Sequence, residues 1–546
     1  MLDRWPRGDR ALVCLDERGR REVTFGEVSD GAAVVAGLLA EAGVGAGDVV
    51  VTLFGSRVEW VLAMVGAWHV GAVALPCLEQ LRPSDLGSRL AVTRPAAIVT
   101  LARHRPLVEA ACGEARALRA DWHAPAVVLL DADALLADCS TACSARDVRT
   151  AQRPRRAVPP RVDLSPTDPA LMTFTSGTSG PAKAVVHGLK YIAGQRVQAE
   201  RWLGARRGEL AWCTAAPGWS KSARNVFIAP WLCGAAALLH DARFDPQERL
   251  EVLDREQPSV LCMAPTEYRL IAKRTRLAVP RSLRRLVAAG EALDPAVLHA
   301  WHDATGLWVR DGYGQTETGQ LTAPPDGSDP VPGSMGRPLP GFALEVAPDP
   351  SHPGVGELVI ADPGSVPTFF LGYLDARTGR VVPHVGPWRT GDRVRRDEAS
   401  GDLFFVGRTD DVIVSSGYRI GPFEVESVLV EHPAVAEAAV VSAPDAERGS
   451  VVRAVVVLRD GFTSSEVLAA ELQAHVRART APYKYPRIVD FAKELPKTSS
   501  GKIRRAALRG DAGASSSPPA VPTAGACGDR SSGGTGALDS SGNDDR

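Results

Sequence analysis

The sequence predicts an α/β protein in which two doubly wound α/β subdomains and a small, β-barrel-like subdomain form a large N-terminal part, followed by a small α+β domain. Three observations carry that expectation. From residue 23 onward, segments of helical period alternate with strand-length apolar runs, the rhythm of a largely parallel sheet. Glycine-rich loops directly follow two of those runs, as they do at the carboxyl ends of strands in open α/β sheets. Past Pro332 glycine and proline become frequent and the apolar runs shorten, and past Asp410-Asp411 helices and strands mix again.

The elements follow in chain order. Helix 25–42 ends at Gly43 and Gly47, strand 48–54 follows, helix 59–70 ends at Gly71, and strand 72–75 stops at Pro76. Residues 149–166, rich in arginine and proline without periodicity, read as a solvated connector and not as a nucleic-acid patch. The apolar run 170–174 delivers the loop Thr175 to Lys183, which is expected to open a helix through His187 and Gln195. The second subdomain holds strand 211–214, the turn Pro217-Gly218-Trp219, the apolar stretch 226–232, strand 235–240, helix 246–256 and strands 260–263 and 286–289. Strand 286–289 runs into Gly290-Glu291-Ala292, and 309–311 delivers Gly312-Tyr313-Gly314-Gln315-Thr316-Glu317-Thr318-Gly319. Strands 356–360 and 403–408 belong to the β-rich subdomain, and the last domain reads helix 422–431, strands 435–442 and 451–458, helix 464–481 and strand 488–491. After Gly510 a Ser, Gly, Pro and Ala bias cannot form a core. The expected division is an N-terminal domain 1–409, a C-terminal domain 410–510 and a disordered tail 511–546.

The segment Thr175-Ser176-Gly177-Thr178-Ser179-Gly180-Pro181-Ala182-Lys183 places two glycines, four hydroxyls and a lysine after a buried strand. Its backbone N–H groups can wrap an oxyanion while the lysine supplies charge. It reads as a phosphate loop, though not a Walker A loop, since Ala184 follows the lysine where that pattern needs Ser or Thr. Taken alone it reads equally well as a Ser/Gly surface turn. Only eight of the 63 basic residues are lysines, so a lysine retained against this arginine bias, such as Lys183 or Lys502, draws attention for its compact ammonium.

Composition excludes some classes. A formal net charge of -1, from 63 basic and 64 acidic residues, gives no global attraction to nucleic acid or to anionic membrane. The segment Met1 to Arg7 lacks a cationic stretch followed by an apolar one, and no later run approaches about 18 apolar residues, so a cytoplasmic protein without a membrane partner is expected. The nine cysteines are scattered, with Cys139 and Cys143 the closest pair and no metal-ligand partner near them, so they are expected to be reduced thiols, mostly in cores.

Thr175 to Lys183, Tyr313-Gly314-Gln315-Thr316-Glu317, Trp388-Arg389-Thr390-Gly391-Asp392, Gly407-Arg408-Thr409-Asp410-Asp411, Ser416-Gly417-Tyr418-Arg419-Ile420-Gly421 and Pro496-Lys497-Thr498-Ser499-Ser500-Gly501-Lys502 stand in the order of the acyl-adenylate-forming superfamily. Over residues 20–508 the chain resembles its acyl-CoA synthetases, and Ala481-Pro482-Tyr483-Lys484-Tyr485-Pro486-Arg487 is similar to the medium-chain branch. The resemblance implies ATP, Mg2+ and coenzyme A as cofactors, a carboxylic acid as substrate, and a C-terminal domain that rotates between two half-reactions about a hinge at Asp410. A homodimer is the candidate assembly.

Residue by residue, the resemblance puts Thr175, Ser176, Gly177, Thr178, Ser179, Gly180 and Lys183 on the β- and γ-phosphates. Gly290, Glu291 and Ala292 face Tyr313 across the adenine, with Asp311 near its exocyclic amine and Gly312, Gly314 and Gln315 in the same loop. Asp392 and Arg408 take the ribose hydroxyls, an assignment that competes with an ordinary surface ion pair. Glu317 is the implied magnesium ligand, and Thr316 lies where the α-phosphate and the substrate carboxylate pass. Lys502 is implied to bridge those two groups during adenylation. Ser416, Gly417, Tyr418, Arg419 and Tyr485 complete the nucleotide and CoA candidates. Gln80, Trp219 and Gly314 match positions that line the acyl site, and glycine at 314, where acetate-activating relatives carry tryptophan, implies room for a medium-length or bulky cyclic acid; the competing reading is that Gly314 serves a tight turn. Lys221 and Arg224, if they face that site, favour an acid with a second polar group. The alternatives are an adenylating enzyme that hands its acyl-AMP to another protein, and a nucleotide-binding regulator without catalysis. An amino-acid-activating domain is disfavoured, since residues 217–223 carry no aspartate.

Overall fold

The computed structural model describes residues 1–140, 158–175, 182–291, 293, 295–349, 352–409, 411, 413–415, 418–445, 449–480, 484–497 and 502–510. The tail 511–546 and residues 149–157, the first half of the 149–166 connector, lie outside them.

Two large sheets dominate. The first has eight strands in the order Val381–Val382, Gly372–Leu374, Lys183–Gly188, Pro169–Thr175, Val73–Leu78, Val49–Phe54, Ala97–Thr100, Ala126–Leu129. The second has seven, ordered Val309–Gly312, Arg285–Ala289, Val260–Met263, Leu210–Cys213, Ala236–His240, Arg10–Asp16, Gly19–Thr24, all parallel except the last. The N-terminal hairpin therefore completes the second sheet, with Leu12 opposite Ala237. Thr24 then caps the helix Phe25–Glu41, its hydroxyl accepting from the Glu27 N–H while the Glu27 carboxylate accepts from the Thr24 N–H.

Three expectations change. Lys183–Gly188 is a strand antiparallel to Pro169–Thr175, with Thr175 opposite Lys183, and the helix begins only at Leu189. The segment between Thr175 and Lys183 therefore joins two antiparallel strands, and no helix follows it directly. Pro76 does not end its strand: Val73–Leu78 continues through it with Thr52 opposite. Pairing to Pro169–Thr175 is confined to Ala74 and Leu171, so that side of the strand needs no N–H at position 76. The stretch 226–232, expected only as an apolar run, is helical, Arg224–Ile228 passing into Ala229–Cys233.

The β-rich subdomain is a four-stranded antiparallel sheet of Leu344–Asp349, His352–Ile360, Trp388–Arg396 and Leu403–Arg408. The C-terminal part packs the helices Pro422–Glu431 and Glu466–Arg479 on a sheet of Val435–Asp445, Gly449–Leu458 and Ile488–Phe491. Cys14, Cys77, Cys213 and Cys262 are buried free thiols. No described helix is long and apolar enough to cross a membrane.

Candidate active site

In the second sheet the strand order reverses between Leu210–Cys213 and Val260–Met263, one strand leading on to Ala236–His240 and the other to Arg285–Ala289. Loops leaving the carboxyl ends there diverge and open a crevice. A narrow pocket sits at that point, lined by Cys213, Thr214, Ala215, Trp219, Lys221, Cys262, Met263, Ala264 and Glu267 and too tight to admit a water molecule.

Around it the strand ends deliver polar groups. The Glu291 carboxylate accepts from the Thr266 hydroxyl at 2.6 Å. Gly290, at φ +105°, faces the Lys221 ammonium, which donates to the Ala289 carbonyl at 2.9 Å and lies 5.7 Å from the Trp219 ring centroid. Asp311 is buried and accepts from the Gly312 N–H at 2.9 Å. Burial pushes its carboxyl up to about 8, with the Gly312 N–H and Lys221 opposing. In the unfolded chain an aspartate ionises near pH 4, so between about pH 4 and pH 8 the folded chain holds a proton that the unfolded chain has released. This group therefore makes stability fall as pH rises through that window. Asp311→Asn is expected to flatten that part of the urea-midpoint profile; an unchanged slope would mean that the folded carboxyl is already ionised.

Asp392 and Arg408 sit directly opposite each other on adjacent strands, with Arg408 Nη1 donating to Asp392 Oδ1 at 3.2 Å. The Tyr313 hydroxyl and Gln315 Nε2 donate to Oδ2. Gln315 is fixed in turn by donating to the Thr390 carbonyl at 2.8 Å and accepting from the Trp388 indole at 3.0 Å. Burial pushes the Asp392 carboxyl upward, and Arg408, Tyr313, Gln315 and Lys502 oppose it. An almost buried carboxylate with three donors is not the exposed ion pair that the sequence left open.

Lys502 reaches the same cleft. Water touches the residue, yet the surrounding protein lowers its pKa; Glu291 and Asp392 oppose that shift while Lys221 and Arg408 add to it. The lysine of the C-terminal segment thus stands in the field of Lys221 and Glu291 from two loops and of Asp392 and Arg408 from two paired strands.

Lys183 lies 5.1 Å over the Tyr373 ring, and the Tyr373 hydroxyl donates to Glu317 Oε1 at 2.8 Å. Tyr373 thus couples the implied phosphate lysine to the implied metal carboxylate; following Phe369 and Phe370, it carried no signal of its own in the sequence. Thr175 donates weakly to the Lys183 carbonyl at 3.5 Å, and the Thr316 backbone hydrogen-bonds the buried His187 ring. Lys221, undecided from sequence, belongs to the site, and its scarcity in an arginine-rich chain was the signal.

Several expected residues are placed otherwise. A Cβ on Gly314 would lie 2.0 Å from the Gly319 carbonyl oxygen, because Gly314 pairs with Gln320 in a short hairpin. The hairpin by itself requires this glycine. Gln80 is exposed in the turn after Val73–Leu78 and does not line the cavity, although the neighbouring Gly218, at φ +95°, packs against the Leu78 N–H. Tyr485 packs against the C-terminal core with Arg477 and Arg487 over its ring at 5.4 and 4.9 Å, and no contact ties it to the cleft among the described residues. Ser176, Gly177, Thr178, Ser179, Gly180, Ala292, Asp410, Ser416 and Gly417 lie outside the described residues, as do the side chains of Tyr418 and Arg419.

The sequence pattern that defines AMP-binding enzymes matches residues 2–374, and that of their C-terminal domain matches residues 424–502. The chain belongs to the AMP-binding enzyme family. Like its relatives it is an AMP-forming ligase of the acyl-CoA synthetase type, and ATP and CoA are substrates of such enzymes. It is 36% identical over 518 residues to the uncharacterized acyl–CoA ligase YtcI of Bacillus subtilis, a match covering 91% of this chain and 92% of that protein. It is 38% identical over 484 residues to the human mitochondrial acyl-coenzyme A synthetase ACSM5, covering 85% of this chain and 79% of that protein. A solved structure of the anthranilate CoA ligase AuaEII in complex with anthranoyl-AMP superposes with a TM-score of 0.77 at 28% identity, covering 94% of this chain and 96% of that one.

Proposed function

We propose that this enzyme activates a medium-length or bulky cyclic carboxylic acid to its acyl-AMP and then transfers the acyl group to CoA. The observation that carries this reading is the convergence of Lys502, Glu291, Asp392 and Lys221 in one cleft. In the first step a carboxylate oxygen attacks the α-phosphorus of ATP and the bond to the β-phosphate oxygen breaks, releasing pyrophosphate. Two anions must meet, so positioning and charge stabilisation are the protein's contribution. Lys502 neutralises the meeting oxygens, the Asp392 carboxylate with Arg408 takes the ribose hydroxyls, and Tyr313 with Gly290 and Glu291 brackets the adenine, Asp311 facing its amine. The loop Thr175 to Lys183 holds the outer phosphates. Among the described residues no cluster of three ligands could hold a metal by itself. Mg2+ bound through substrate phosphates needs only one or two carboxylates, a role Glu317 fits.

In the second step the CoA sulfur attacks the acyl carbonyl and AMP leaves. Rotation at Asp410 would withdraw Lys502 and bring in the loop bearing Gly417. The Trp219 indole in the pocket lining supports an acid larger than acetate, since an indole face suits an apolar chain or ring. Each buried methylene adds up to about 0.8 kcal/mol, so preference should grow from acetate to butyrate to octanoate. Pyrophosphate release across a panel of acids, with and without CoA, tests both steps. Gly417→Leu is expected to preserve pyrophosphate release and abolish thioester formation; equal loss of both would refute the two-step reading.

A further inference from the structure

Four arginines are buried among the described residues, and three of them, Arg57, Arg249 and Arg393, each pair with a carboxylate, at Asp241, Glu267 and Asp349. Arg224 is the exception. It is 4% exposed, no carboxylate among the described residues pairs with it, and its Nε and Nη1 have no hydrogen-bond partner. A guanidinium cannot shed its proton, so burial without a counter-ion is costly unless an anion arrives.

The surroundings fit an arriving anion. Tyr191 is buried, its hydroxyl held below the value that burial alone would give by the Arg224 charge beside it. Asn225 Nδ2 is a second buried donor without a partner. The His187 ring packs against Tyr191, tilted, with centroids 3.9 Å apart, and its Nδ1 has no partner; burial pushes its pKa down to about 3, so it adds no competing charge. On one side His187 is hydrogen-bonded to the Thr316 backbone, where the reacting carboxylate is expected. On the other lies Cys262, part of the pocket lining beside Trp219; its thiol is pushed up by Cys213 and by burial, with Lys221 and Arg224 opposing.

We propose that Arg224, with the Tyr191 hydroxyl and the Asn225 amide, forms a buried subsite for a second carboxylate on the substrate, so that the preferred acid is a dicarboxylic acid activated at one end. The open Nε–H and Nη1–H groups point to different sides of the guanidinium, so each donates singly, and an arriving carboxylate completes its set of partners with the Tyr191 hydroxyl and the Asn225 amide. This assignment rests on the acid-activating function proposed above and specifies its substrate class.

The test compares each linear monocarboxylic acid, from butyrate to decanoate, with the dicarboxylic acid of the same length by kcat/KM for pyrophosphate release. The wild type is expected to favour the diacid about 10²-fold at its best length, because a monoacid leaves the buried donors unpaired. Arg224→Met is expected to remove that preference. A wild type that favours monoacids at every length, or a variant that keeps the diacid preference, overturns the proposal. A thermal shift induced by the diacid without ATP reads the subsite apart from the chemistry. A shift present in the wild type and absent in Arg224→Met supports the subsite even if no acid releases pyrophosphate, a result that would instead end the proposed function. Equal shifts in both proteins, or none in either, overturn the subsite.

Discussion

Replacing Lys502 by alanine is expected to slow acyl-AMP formation about 10²- to 10³-fold, the range seen when one preorganised donor to a developing anion is removed. Lys502 is solvent-accessible and belongs to no apolar core, so the variant should unfold at the wild-type temperature. Its charge stands between two carboxylates, Glu291 and Asp392, and two cations, Lys221 and Arg408. Removing it leaves the cleft with less positive potential where the carboxylate and the α-phosphate must approach. The loss should fall on the single-turnover rate with the KM for ATP little changed, because the contact strengthens in the transition state. Lys502→Arg should recover only part of the rate, since a planar fork does not place its charge where a compact ammonium does. A Lys502→Ala enzyme that releases pyrophosphate at the parent rate would remove Lys502 from the mechanism.

Arg57→Leu is expected to destabilise the protein by about 3–5 kcal/mol, the loss typical when one member of a buried ion network is deleted. The first sheet also reverses its strand order, between Val49–Phe54 and Ala97–Thr100, and there too the carboxyl ends diverge. That crevice is filled by charge. Arg57, 2% exposed, donates to Glu17, to Asp241 at 2.8 Å and to Glu59 at 3.4 Å, and lies 3.4 Å from Asp16. Arg103 adds contacts to Asp241 and Glu79. Asp16 and Asp241 come from strand ends of the second sheet, so the network joins the two sheets. Arg57 is the main reason that the Glu17 carboxyl is held down at about 2, while burial already raises that of Asp241. Without the guanidinium several carboxylates would face one another in a closed space. A urea midpoint corresponding to a loss under about 1 kcal/mol would show that water and Arg103 replace it.

Local chemistry made much of this legible. The helices Pro246–Glu256 and Pro422–Glu431 begin at the residues that the sequence indicated, because proline at the first helical position marks a start that no tertiary contact can move. Val260–Met263 and Ile488–Phe491 are also found where read, bounded by turn residues. The failures are non-local. The run Lys183–Gly188 is short and apolar, a pattern that helix and strand share, and only its partner Pro169–Thr175 decides between them. The space at Gly314 depends on the Gly319 carbonyl across a hairpin, and Tyr373 meets Glu317 from 56 residues away. For Arg224 the sequence supplied the residue but not its burial, and burial without a carboxylate is what gives it chemical meaning.

The N-terminal hairpin has a consequence for how the chain comes to be folded. Arg10–Asp16 finds its parallel partner in Ala236–His240, and the Trp231 indole donates to the Ala11 carbonyl. As the chain emerges at about 5–20 residues per second, the first strand waits more than ten seconds for its neighbour, with apolar Leu12, Val13 and Leu15 uncovered. A pairing so distant in sequence also makes closure of the second sheet a late and slow event. Nascent chains stalled before Ala236 should therefore be protease-sensitive across their first 24 residues, and chains extended well beyond His240 should not.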